Sequence, residues 1–206
     1  MSNIRELRGL VPLEVAIVLV AAAVPLSIPV VIPLLAAASL SMWVRGRSFA
    51  QLTKGPALYA AIGLGAGLVS LAIAVAISTP LVERITDQAV VWSMYPMVRG
   101  SATAFATLTV LVGLGAVAAE LVLRGWIVER VLELGRGNVV LAILVGAVAE
   151  ALLSGGDFTA RIGAGLFGIA MGWMYVAGGR SVTAPVLARL AFSLGALALE
   201  ALRVVG

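Results

Sequence analysis

Apolar residues run through this chain in long blocks, and the polar positions fall mostly between them. Residues 11–44 are almost wholly apolar, interrupted by Pro12, Pro25, Pro29 and Pro33. That stretch is too long for one membrane crossing of about 20 residues and just enough for two short ones. Proline breaks helix continuity, so residues 25–33 are the expected turn. A hairpin here brings two basic clusters to one face of the membrane: Arg5 and Arg8 at one end, Arg45, Arg47 and Lys54 at the other. The positive-inside rule makes that face cytoplasmic and places the N-terminus there. One kinked span followed by a re-entrant segment is the second reading of the same residues. The basic start and small residues also have the outline of a signal peptide. Glu14 within the apolar stretch, and a further apolar run directly after it, favour a first span.

The rest of the chain repeats the pattern. Residues 56–77 are a third span, with Gly63, Gly65 and Gly67 permitting close helix contact. Residues 78–100 are a connection carrying Pro80, Glu83, Arg84, Asp87 and Pro96, and Trp92 and Tyr95 suit an interface. A fourth span, 101–119, runs straight into the most charged segment, 120–136. Residues 138–153, 162–177 and 182 to about 204 follow as three more. The turns between them are Gly155-Gly156-Asp157 and Gly178-Gly179-Arg180. The expected fold is all-α, a polytopic transmembrane bundle of about seven spans. It forms a single membrane domain over 1–206: an N-terminal hairpin and cytoplasmic loop (1–54), a third span and connection (55–100), and a C-terminal core (101–206).

Composition fixes the solvent and narrows the chemistry. Of 206 residues, 62% are hydrophobic and 12% charged, too few charges to cover a globule in water. The net charge of +4 is scattered at the ends of apolar runs rather than drawn into a nucleic-acid-binding stripe. Neither cysteine nor histidine occurs. This removes thiolate chemistry, the commonest metal ligand and the commonest neutral-pH base, so no metal and no cofactor is expected. Any hydrolysis would have to run on Glu, Asp, Ser, Lys or Tyr.

Ionisable residues at membrane depth are costly and mark candidate sites. Glu120 and Arg124 lie four apart and share a helical face, as a structural clamp or as part of a site. Glu150, four before Ser154, needs a partner or a cavity, because desolvation penalises a lone carboxylate. Arg189 stays charged and needs an anion; Glu150, Glu120 and Glu200 are the acids at hand, and Glu150 is the preferred partner. Ala164, Gly168 and Gly172 form a small-residue face for helix packing.

The order of these features resembles the CPBP family, the CAAX-protease and bacteriocin-processing membrane proteases also called Abi proteins. The matching run is Ala119-Glu120-x-x-x-Arg124-Gly125, then Ala142-Ile143 through Ser154. After it come Phe167-Gly168-x-x-x-Gly172-x-x-Tyr175, Gly179-Arg180-Ser181-Val182, and Pro185 through Arg189-x-x-x-Ser193. Residues 45–52, Arg-Gly-Arg-Ser-Phe-Ala-Gln-Leu, are similar to the loop before the family's core. The resemblance implies a CPBP-like core in the C-terminal half. It also implies what is missing. In the family pattern Ala119 would be the glutamate that activates water. Ser154 and Arg189 would be histidines, and Ser193 the asparagine of the oxyanion site. Glu120, Arg124 and Gly125 remain.

The expectation is therefore a catalytically inactive CAAX-protease-like membrane protein, a scaffold, assembly or accessory subunit. Its partners would be the bilayer, other integral membrane proteins, and a lipid or isoprenoid. No nucleic acid is expected, and the setting would be a bacterial inner membrane. Two alternatives stand beside it: an atypical CPBP endopeptidase working through Glu120 or Glu150, and a small transporter using Glu150 and Arg189.

Overall fold

A computed structural model describes residues 10–23, 31–90, 95–154 and 158–203. These residues form seven helices and no strand: α1 (Val11–Ala23), α2 (Val31–Val44), α3 (Ala57–Thr86), α4 (Ala102–Leu134), α5 (Val139–Leu153), α6 (Phe158–Ala177) and α7 (Thr183–Ala201). Short 3-10 turns cover Phe49–Thr53 and Pro96–Val98. The all-α architecture is the expected one. Only α3, α4, α6 and α7 are long and apolar enough for a full crossing; α1, α2 and α5 are shorter apolar helices. At 15 residues, α5 reaches roughly 22 Å, short of a hydrocarbon layer about 30 Å thick.

Two boundaries differ from the sequence expectation. The third helix does not stop at residue 77 but continues to Thr86 through a π-helical turn, Ala74–Ser78. Pro80 has no N–H and would crowd the carbonyl four residues back, and the wider turn before it relieves this. The Thr79 N–H and hydroxyl both reach the Ala74 carbonyl there. Likewise the charged segment after residue 119 does not leave the span. It continues α4 as a π-helical segment, Leu121–Val128, and a last α-helical stretch, Glu129–Leu134. Pro33 falls in the first turn of α2, where a missing N–H costs little. Arg5, Arg8, Pro25, Pro29, Trp92 and the Gly155-Gly156-Asp157 turn lie outside the described residues.

The chain divides into two compact units, residues 1–56 with 118–185, and residues 57–117 with 186–206. In the first, residues 122–132 of α4 are buried on every side. They form a central post against which α1, α2, α5, α6 and the Phe49–Thr53 turn pack. Gly125 makes room for that turn: a Cβ there would lie 3.1 Å from the Leu52 side chain and 3.4 Å from Phe49. The α5–α6 contact is the most extensive in this unit. In the second, α3 meets the later part of α7 at Gly67, where a Cβ would run into the Ala188 carbonyl. Large apolar side chains such as Leu58, Leu68, Leu111, Leu114, Leu166 and Trp173 are exposed. Lipid, not water, is the medium that accepts such faces.

Candidate functional site

The central post carries charges, and burial forces each to find a partner. Glu120 and Arg124 are fully buried and Glu150 nearly so. Arg124 sits on α4 about ten residues above its end, and Glu150 about eleven residues into α5. At 1.5 Å per residue Glu150 lies roughly 16 Å from the start of α5 and about 4 Å from its end. Arg124 binds three groups at once. Its Nη2 donates to Glu150 Oε2 at 2.5 Å and to the Gly168 carbonyl at 3.0 Å. Its Nε lies 3.3 Å from Glu120 Oε2. One guanidinium thus ties α4, α5 and α6 together.

Gly168 lets this happen. A Cβ on it would lie 2.9 Å from the Ala147 Cα and 3.1 Å from Glu150 Oε2. Gly172, one turn on, faces the Ile143 side chain in the same way, at 3.0 Å. Ala164 is half-buried one turn earlier.

Ala119 is half-buried one residue before Glu120, with a side chain that offers no hydrogen bond. Ser154 caps α5, exposed, its hydroxyl donating to the Ala151 carbonyl at 2.9 Å. Arg189 and Ser193 lie on the part of α7 that belongs to the second unit. Within its own unit, Glu150 has Arg124 as its salt-bridge partner.

A second charged cluster escaped the sequence reading. Glu129, buried, accepts a hydrogen bond from the Tyr175 hydroxyl at 2.7 Å and a two-pronged bond from Arg180 Nε and Nη2. Arg47 Nη1 lies 3.9 Å from the same carboxylate and 2.7 Å from Glu133, which also holds Arg130 at 2.6 Å. The hydrogen bonds from Arg180 to Glu129 raise the Arg180 guanidinium pKa above its ordinary value. Arg180 follows Gly178-Gly179 and sits at φ 65°, a left-handed conformation uncommon outside glycine. The signal in the sequence was slight: a Glu129/Glu133 pair one turn apart, and a tyrosine closing the Gly168/Gly172 pattern. Tyr175→Phe removes a hydrogen bond to a charged group and should lower stability by about 2 kcal/mol. Thermal unfolding of the purified chain in detergent measures it.

A third group links α1, α2 and α4. Arg45 pairs with Glu14 at 2.8 Å, and Ser41 accepts hydrogen bonds from Arg45 at 2.5 Å and from the Trp126 ring N–H at 3.1 Å. Glu14, conspicuous in an apolar run, is matched here. Among the described residues no group of three or more Asp or Glu is placed to hold a metal.

A family model described as Rce1-like, type II CAAX prenyl endopeptidase Rce1-like, matches residues 101–195. No curated protein and no solved structure matches the chain.

Proposed function

We propose that this chain, whose residues 101–195 match the Rce1-like family model, is a CAAX-protease-like integral membrane protein and a non-catalytic one, a scaffold or accessory subunit for other membrane proteins. The observation that carries the proposal is the triad. Both deep carboxylates of the first unit's core, Glu120 and Glu150, lie against the Arg124 guanidinium. A general base needs a lone pair aimed at water, and an oxyanion needs donors aimed at the reacting carbonyl. Here the carboxylates face a cation that holds three helices. The chain has no histidine to take over, and Ala119 cannot activate water.

The orientation follows from the charges. α2, α4 and α6 end, and α1 and α5 begin, where Arg45, Arg47, Arg130, Arg136 and Arg180 outnumber Glu14, Glu129 and Glu133. The positive-inside rule makes that end cytoplasmic. Extraction of the full chain from its native membrane in a mild detergent, followed by native mass spectrometry, tests the subunit role. The expected result is a complex whose mass exceeds that of the chain by one fixed increment from a second membrane protein. Recovery only as a monomer or homo-oligomer contradicts it.

A further inference from the structure

At that same end of the first unit lies a cleft of about 300 Å³, lined by Arg47, Leu132, Glu133, Val139, Val176 and Arg180. Its location follows from the helices. α2 ends just before Arg47, α4 just after Glu133 and α6 just after Val176, while α5 begins at Val139. The cleft is therefore at the level where lipid headgroups meet the spans.

Its lining has two characters. Leu132, Val139 and Val176 are apolar. Arg47 and Arg180 are cationic, and their side chains are 44% and 51% exposed. The acids are spent: Glu133 divides its oxygens between Arg47 and Arg130, and Glu129 is occupied by Tyr175 and Arg180. Three arginines against two carboxylates leave one positive charge; Glu129 is buried, and Glu133, in the lining, is neutralised by Arg47 and Arg130. The carboxylates also fix the arginines. Arg180 spends Nε and Nη2 on Glu129, and Arg47 spends Nη1 on Glu133. The remaining guanidinium donors are held in place for an anion, and planar donor forks of this kind match phosphate oxygens.

We infer that this cleft binds the headgroup of an anionic membrane phospholipid. The phosphate sits on Arg47 and Arg180, and the hydrocarbon beside it runs along Leu132, Val139 and Val176. A free phosphate ion would use the arginines and gain nothing from the apolar wall. The anionic surface of a cytoplasmic leaflet supplies the ligand at high local concentration. The inference rests on the cleft and on the orientation proposed above, and does not depend on the loss of catalysis.

The test is lipid retention by the purified full chain in neutral detergent, read by native mass spectrometry. The probes are dioleoyl phosphatidylglycerol, dioleoyl phosphatidylcholine, dioleoylglycerol and inorganic phosphate. Phosphatidylglycerol is expected to bind most tightly and dioleoylglycerol least, with inorganic phosphate unable to displace the bound lipid. Arg47→Gln and Arg180→Gln should each weaken phosphatidylglycerol binding about tenfold, the loss of one charge-assisted contact. Val139→Trp fills the cleft, leaves the ion cluster intact and should abolish binding. An unchanged thermal midpoint shows which variants remain folded. The proposal is overturned if Val139→Trp and a folded Arg47→Gln both bind phosphatidylglycerol like the native chain. It is equally overturned if inorganic phosphate displaces the lipid, which would make the site one for a free anion.

Discussion

Arg124→Gln lowers the stability of this chain by about 3–5 kcal/mol, the cost of removing one partner from a buried charge cluster. The size follows from the surroundings. Arg124 is fully buried, and Glu120 and Glu150 are almost as deep. Taking the guanidinium away deprives two buried carboxylates of the cation they share, and the Gly168 carbonyl loses its link to α4. Arg124→Lys recovers only part of this, because a single ammonium cannot span the three acceptors as a guanidinium does. The combination Arg124→Gln with Glu150→Gln should be milder than the sum of the two single changes, since the two side chains are in direct contact. Thermal or denaturant unfolding in detergent, taken through the full double-mutant cycle, measures this coupling. Additive losses would show that Arg124 and Glu150 do not act as a pair.

Gly168→Val is the second large effect, with an expected loss of about 3 kcal/mol, the upper end of what overpacking costs. The first new atom already meets backbone, the Ala147 Cα at 2.9 Å, and a carboxylate oxygen at 3.1 Å. Neither can move without parting α5 from α6 or disturbing the Arg124 triad. Gly172→Ala is the control. Its Cβ meets only side-chain atoms of Ile143, the nearest at 3.0 Å, which can yield by a small rotation. The ranking Gly168→Val well below Gly172→Ala in unfolding midpoint is the expected readout. Equal losses would mean that the two glycines serve only as a smooth packing face.

Much of the fold was legible because lipid imposes a simple code. Apolar runs and their flanking charges locate seven helices. What misled was the reading of charge as a boundary. Charged residues after Ala119 suggest that the span has ended, since one helix in lipid cannot carry them. The post at residues 122–132 is enclosed by other helices, however, and there Arg124, Glu129 and Arg130 find partners on neighbouring helices and turns. Two π-helical segments, at Ala74–Ser78 and Leu121–Val128, extend helices past positions where proline or charge suggested a stop.

The site was legible in proportion to sequence distance. Glu120 and Arg124 are one turn apart, so their shared face was visible. Glu150 is 26 residues from Arg124, and nothing local announces their contact. The Glu129–Tyr175–Arg180 cluster draws on two helices and a left-handed arginine in the turn after α6, and the sequence carries only a slight trace of it.

On the proposed reading the Arg124 triad holds helices together and does not activate water. Peptide hydrolysis by the full chain in nanodiscs tests it most directly, with prenylated and unprenylated peptides and mass-spectrometric detection of products. The expected result is no cleavage above that of empty nanodiscs, and no difference among the native chain, Glu120→Gln and Glu150→Gln. Cleavage by the native chain that disappears in a folded Glu120→Gln or Glu150→Gln would contradict it and make this chain a glutamate-dependent membrane protease.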